Sequence, residues 1–234
     1  MNEQATWLAC VAGAYLIGSI PFGLLIGLAR GVDVRRHGSK NIGATNVWRV
    51  LGRPWGPLCF ALDVAKGVGP VLIAGWITGA LEGRAPEPAR LWWWLAVAVG
   101  AVMGHIFPLW LRFKGGKGVA TGFGALAGVY PFITWPALLA LALWLVAAKL
   151  TRYVSVASII GAMSIPVSTV GFSLARADGT FAQRWASLGS LWPLFLVTFA
   201  LAALVVWKHR ANLARLRAGT ELRIGERTVS GPHP

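Results

Sequence analysis

Long apolar runs separated by short polar segments set the pattern of this chain. A bilayer core of ~30 Å takes about 20 helical residues to cross, and runs of that kind fall at about 6–28, 56–80, 91–111, 153–175 and 189–207. Residues 118–148 are also apolar but too long for one comfortable span. Pro131 and Pro136 interrupt them, beside Tyr130, Phe132 and Trp135; proline breaks helices, and Tyr and Trp favour the membrane interface. The pattern predicts two short spans joined by a tight turn here, and about seven transmembrane helices in the chain. The expected fold class is all-α, a polytopic integral membrane protein.

The polar segments support that count. Segments 29–55, 112–117, 149–152 and 208–234 hold 17 of the 22 Lys and Arg residues. Segments 81–90, 131–136 and 176–188 hold four (Arg84, Arg90, Arg176 and Arg184), and Lys66 lies within a span. Seven crossings put every strongly basic segment on one side, whereas six would scatter them. The positive-inside rule makes that side the cytoplasm, with the N-terminus periplasmic and the C-terminus cytoplasmic. Trp76, Trp92, Trp93, Trp94, Trp135, Trp185 and Trp192 then sit mostly near the outer interface, as an aromatic belt.

Composition agrees. The chain is 56% hydrophobic and 13% charged, where soluble domains carry about 25% charged residues, so residues 1–234 read as a single membrane-embedded domain. A net charge of +14 resembles a nucleic-acid footprint, but in short loops between spans it is what cytoplasmic orientation requires. Membrane lipids are therefore expected partners and nucleic acid is not. Cys10 and Cys59 lie inside apolar runs as packing residues. Only Glu3 precedes the first run where a signal peptide would have basic residues, so a retained helix is expected. No internal repeat is visible, and residues from about 225 on read as a short disordered tail.

Three of the inner segments, about 37–50, 112–121 and 208–221, are richer in Gly, Ser, Asn and Thr than orientation demands. The first runs Gly38-Ser39-Lys40-Asn41-Ile42-Gly43-Ala44-Thr45-Asn46-Val47-Trp48-Arg49. The second contains Lys114-Gly115-Gly116-Lys117-Gly118-Val119-Ala120-Thr121. Its glycines would let backbone N–H groups face an anion, and the helix that follows adds its unsatisfied N–H groups and positive dipole end. With Lys117 and the Thr121 hydroxyl this makes a phosphate cradle, or else a plain glycine hinge with basic flanks. In the third segment, His209 and Asn212 share a face if the last span continues as a helix. The competing reading is a basic helix lying on anionic headgroups. Glu221 is one of few inner acids and would anchor a neighbouring cation. Asp63 and Lys66, three residues apart in the second span, would pair and face the bundle interior as a structural ion pair.

Absences narrow the chemistry. Asp33, Glu221 and Glu226 are the acids of the inner segments, and the histidines are His37, His105, His209 and His233. These give no carboxylate or His cluster for a metal ion. His105 has no aspartate five residues on, so no His-x4-Asp general base is present, and no cofactor is implied.

At these residues the chain resembles the bacterial acyl-phosphate-dependent glycerol-3-phosphate acyltransferases, the PlsY family. The resemblance covers nearly the whole chain. It rests on Gly18-Ser19-Ile20-Pro21-Phe22-Gly23, the Ser39–Arg49 run, Phe113 to Thr121, and the run from Lys208-His209 through Asn212, Arg215-Leu216 and Gly219 to Glu221. It implies an enzyme of the bacterial cytoplasmic membrane, with its active site on the cytoplasmic side. The enzyme would transfer an acyl group from acyl phosphate to the 1-hydroxyl of sn-glycerol 3-phosphate, giving lysophosphatidate and phosphate. A soluble acyl-phosphate-producing enzyme is a candidate partner.

By the same resemblance, Ser39, Arg49, Lys117 and His209 form the catalytic group. Asn41, Thr45, Asn46, Gly115, Gly116, Gly118, Thr121, Asn212 and Arg215 are implied to bind substrate. Either His209 or the substrate's own phosphate would take the hydroxyl proton. Bottom-up, a transporter or channel for a phosphorylated organic anion remains the alternative, although neither inverted repeats nor helices broken near the midplane are visible.

Overall fold

The computed structural model describes residues 2–82 and 87–225; Arg84 and the tail expected beyond Gly225 lie outside them. Helix α1 (Glu3–Gly18) starts at Asn2, whose side chain accepts the Ala5 N–H at 2.8 Å, as an N-cap residue should. It stops before Pro21, and α2 (Phe22–Ala29) continues the same span after a break at residues 19–21. Helix α3 (Ala44–Leu51) is short. Then come α4 (Trp55–Ile77), α5 (Pro88–Ile106), α6 (Val119–Ala127) and α7 (Thr134–Thr151). Finally α8 (Val154–Arg176), α9 (Phe181–Ser187), α10 (Trp192–Lys208) and α11 (Arg210–Arg217) complete the chain.

Helix α5 forms the hub. Leu91, Trp94, Leu95, Val97, Ala98, Ala101 and Ile106 are fully buried along it, and it packs on α1, α4, α6 and α10. Without a hydrophobic force between helices in lipid, close van der Waals contact has to hold the bundle. Helices α4 and α6 achieve it through Gly67 and Gly124, where an added side chain would collide with the Thr121 and Val64 carbonyls.

Among the described residues, six helical segments are long and apolar enough to cross a membrane: Glu3–Ala29, Trp55–Ile77, Pro88–Leu111, Thr134–Thr151, Val154–Arg176 and Phe181–Lys208. That is one fewer than the sequence pattern predicts, and the difference lies in residues 118–148. The split at Pro131 is present, since α6 ends at Ala127 and α7 starts at Thr134. Helix α6, however, has only nine residues, ~14 Å at the helical rise. It still advances beside α4 in the same direction, with Thr121 against Gly67 and Gly128 against Val71.

The basic segments gather at one end of the bundle. There residues from the segments 38–49, 117–120, 154–155 and 209–222 line one cavity, and the Ile224 N–H donates to the Arg152 carbonyl at 2.7 Å. At the other end Glu3 pairs with Arg90 at 2.9 Å.

Candidate active site

The cavity has a volume of about 510 Å³. Its mouth is polar, lined by Ser39, Arg49, Lys117, His209, Asn212 and Glu221. Its interior is apolar and runs between α7, α8 and α10, past Trp144, Gly161, Ile165 and Leu201.

Helix α3 carries Arg49 to the mouth, and the loop before α3 is shaped by Asn46. The Asn46 carboxamide oxygen accepts the Ser39 N–H at 2.8 Å, and its amide nitrogen donates to the carbonyls of Val34 (2.9 Å), His37 (3.1 Å) and Asn41 (2.8 Å). Asn46 was expected to contact substrate. It lines the cavity, and its side chain is also engaged with its own loop, where it holds the Ser39 N–H. Asn41 closes a turn by accepting the Gly43 N–H at 2.8 Å. Lys40, at φ 57°, holds a left-handed backbone of the kind that non-glycine residues adopt where surrounding structure enforces it. Thr45 lines the cavity.

The glycine loop departs from expectation in a second way. The Gly115 and Gly116 N–H groups do not face the cavity; they donate to the Ile106 and His105 carbonyls, each at 3.1 Å. These glycines serve close approach to the end of α5. A side chain at Gly115 would strike the His105 carbonyl. The anion donors that remain in this segment are the N–H groups of the first turn of α6, which have no partner within the helix, after Gly118 in a left-handed conformation (φ 79°), together with Lys117. Thr121 also differs: it is fully buried, it meets α4 at Gly67, and it is not among the cavity residues.

A polar network crosses the mouth. The Lys117 ammonium donates to the Asn212 carboxamide oxygen. Asn212 in turn donates to Glu221 Oε1 at 2.6 Å. Ser155 Oγ donates to the same oxygen at 2.8 Å, and Arg215 Nε donates to Glu221 Oε2 at 2.9 Å. Burial disfavours the Glu221 charge, but the hydrogen bonds from Asn212, Ser155 and Arg215 outweigh it and hold the carboxyl below its ordinary value. Burial lowers Lys117 to about 8; Glu221 opposes the shift, while Arg215, Arg49 and Lys208 reinforce it. His209 is pushed down to about 4, first by burial and then by the Lys117 charge. Its Nδ1 lies 2.8 Å from the Val205 carbonyl, and a neutral ring in that position donates from Nδ1 and leaves the Nε2 lone pair free to accept.

The structure thus brings Ser39, Arg49, Lys117, His209, Asn212, Arg215 and Glu221 around one opening. Ser155 is an addition that sequence reasoning passes over. Its signal is a hydroxyl at the start of a span directly after the basic segment 149–152. Asp63 and Lys66 pair as expected, at 2.7 Å. No group of three or more His, Cys, Asp or Glu side chains suited to a metal ion occurs among the described residues.

Comparison with known proteins places these features in context. A family model described as glycerol-3-phosphate acyltransferase matches residues 8–219. The chain is 42% identical to the glycerol-3-phosphate acyltransferase of Desulforamulus reducens, over 95% of this chain and 97% of the relative. It is 43% identical to that of Anaeromyxobacter dehalogenans, over 96% and 100%. Crystal structures of PlsY, an integral membrane glycerol 3-phosphate acyltransferase, superimpose with 36% identity. The glycerol 3-phosphate form gives a TM-score of 0.75 over 94% of this chain and 96% of that one. The lysophosphatidic acid form gives 0.73 over 94% and 95%.

Proposed function

The chain belongs to the glycerol-3-phosphate acyltransferase family, and on that premise we propose that its cavity joins an acyl group to glycerol 3-phosphate with acyl phosphate as donor. Family membership makes the chain an enzyme and sets aside the transporter reading. The observation that carries the proposal is the shape of the cavity, a cationic mouth opening on an apolar interior. Two phosphates and one alkyl chain need that combination.

Glycerol 3-phosphate rests its phosphate on Lys117 and the first turn of α6. The acyl chain lies in the interior with its phosphate beside Ser39 and Arg49. The 1-hydroxyl oxygen bonds to the acyl carbon, the bond from that carbon to the phosphate oxygen breaks, and inorganic phosphate leaves with the bonding electrons. Because the donor is already an activated anhydride, positioning and charge stabilisation suffice. The hydroxyl proton passes to the phosphate of glycerol 3-phosphate. A histidine held near 4 is a weak base at neutral pH, so His209 works as a hydrogen-bond acceptor that orients the substrate. His209→Ala should then keep measurable turnover in folded protein; complete loss of activity would make the histidine the base.

The decisive assay incubates purified protein with palmitoyl phosphate and labelled glycerol 3-phosphate, without coenzyme A. Labelled lysophosphatidate is the expected product, and its absence rules out the donor.

We also propose seven crossings, with α6 and its preceding loop as the short one. The gathering of residues 38–49, 117–120 and 209–222 at one end, opposite Glu3 and Arg90, supports a cytoplasmic site and a periplasmic N-terminus. Cysteines at positions 112 and 87 should label from opposite membrane faces with an impermeant reagent. Labelling from the same face would refute this topology.

A further inference from the structure

Under the glycine loop, with Asp63 and His105 on the wall of the same cavity, lies a polar cluster that the reaction above leaves unused. Asp63 and Lys66 on α4 and His105 near the end of α5 are all buried, at 2%, 4% and 4% exposure. Lys66 Nζ lies 2.7 Å from Asp63 Oδ1 and donates to the Ile20 carbonyl at 2.7 Å, in the break between α1 and α2. His105 Nδ1 lies 3.7 Å from the same Asp63 oxygen. The far side of the imidazole touches the loop: a methyl group at Gly116 would collide with His105 Nε2. The Gly115 and Gly116 N–H groups are tied to the Ile106 and His105 carbonyls, so the loop is pinned on both its backbone and its underside one residue before Lys117.

Three buried polar side chains are a costly way to pack helices, since apolar residues of like volume would hold them at least as well. What they add is direction. We infer that His105, set beside the Asp63–Lys66 pair and against Gly116, is a positioning residue for glycerol 3-phosphate. It fixes the Gly116–Lys117 step so that the Lys117 ammonium meets its anion, and Lys66 carries the same constraint back to the broken first span. His105 and Asp63 are 42 positions apart in number yet adjacent in space, so the pairing is invisible along the chain. The inference rests on the reading that Lys117 takes the glycerol 3-phosphate.

The test is steady-state kinetics on purified His105→Ala, His105→Gln and the double variant Asp63→Asn with Lys66→Met, which removes both charges and strands neither. A displaced loop should raise KM for glycerol 3-phosphate about tenfold, within the penalty that small misplacement of a binding group can exact, while KM for acyl phosphate stays within twofold. The double variant should show the same selective rise and add nothing further on top of His105→Ala, because Asp63 acts through the imidazole. His105→Gln, which keeps a planar polar group, should recover part of the loss. Equal changes for both substrates, an unchanged KM alongside a lower melting temperature, or failure of all three variants to fold would assign the cluster to packing and overturn the inference. Lys117→Ala separates the two levels. If it leaves KM unchanged, the phosphate reading itself fails; if it raises KM and the His105 variants do not, only the present inference fails.

Discussion

Arg49→Lys should lower kcat by about a hundredfold in folded protein, with KM for glycerol 3-phosphate changed only a few-fold; removing one preorganised donor aimed at developing charge typically costs about 10²–10³ in kcat. Arginine offers a planar fork that grips two phosphate oxygens at once, and lysine keeps the charge without the fork. The fork is well supported here. Arg49 sits in the last turn of α3, its stem beside Gly38, and the loop around it is tied by four hydrogen bonds to the Asn46 side chain. Kinetics with acyl phosphate saturating would test this, and a kcat within threefold of wild type would remove Arg49 from the reacting centre.

The second large effect is on binding. Lys117→Ala should raise KM for glycerol 3-phosphate by about 10- to 100-fold and leave kcat near wild type, the range expected when a charge-assisted hydrogen bond of about 1.5–3 kcal/mol is lost. The pH dependence has a definite sign. With its value lowered to about 8, Lys117 is charged at pH 7 and neutral well above pH 8. Only the charged form attracts phosphate, so KM should climb as pH rises through 8, approaching about tenfold per unit. Lys117→Arg, which stays charged throughout, should flatten that climb. A wild-type KM that is flat from pH 7 to 9.5 would contradict the cradle.

Much of this architecture can be read from the residues in order. Apolar runs of about 20 announce membrane helices, and five of the six long segments fall where those runs lie. Glycine, amide and hydroxyl residues beside cations mark the three polar segments, and all three line the cavity. The length of α6 was not legible, because Gly118–Ala127 is as apolar as a full span and periodicity does not say where a helix stops. The choice between cradle and hinge at Gly115 and Gly116 is open in the sequence for a related reason. Glycine suits both an anion-facing backbone and a tight backbone contact, and only the position of His105 decides between them. Thr121 looks like a loop ligand in sequence, but it is fully buried where its backbone carbonyl packs on Gly67. Ser155 and His105 depend on neighbours 66 and 42 positions away, Glu221 and Asp63, and a local pattern carries no such information.

The network of Lys117, Asn212, Glu221 and Ser155 also sets an order of events during synthesis. Residues 38–49 are made early, whereas His209, Asn212 and Glu221 follow only after α10. A chain that stops before that point has a basic loop without its amide and carboxylate partners, and it lacks His209. The mouth of the cavity is therefore completed last, when His209, Asn212 and Glu221 close onto loops made long before them.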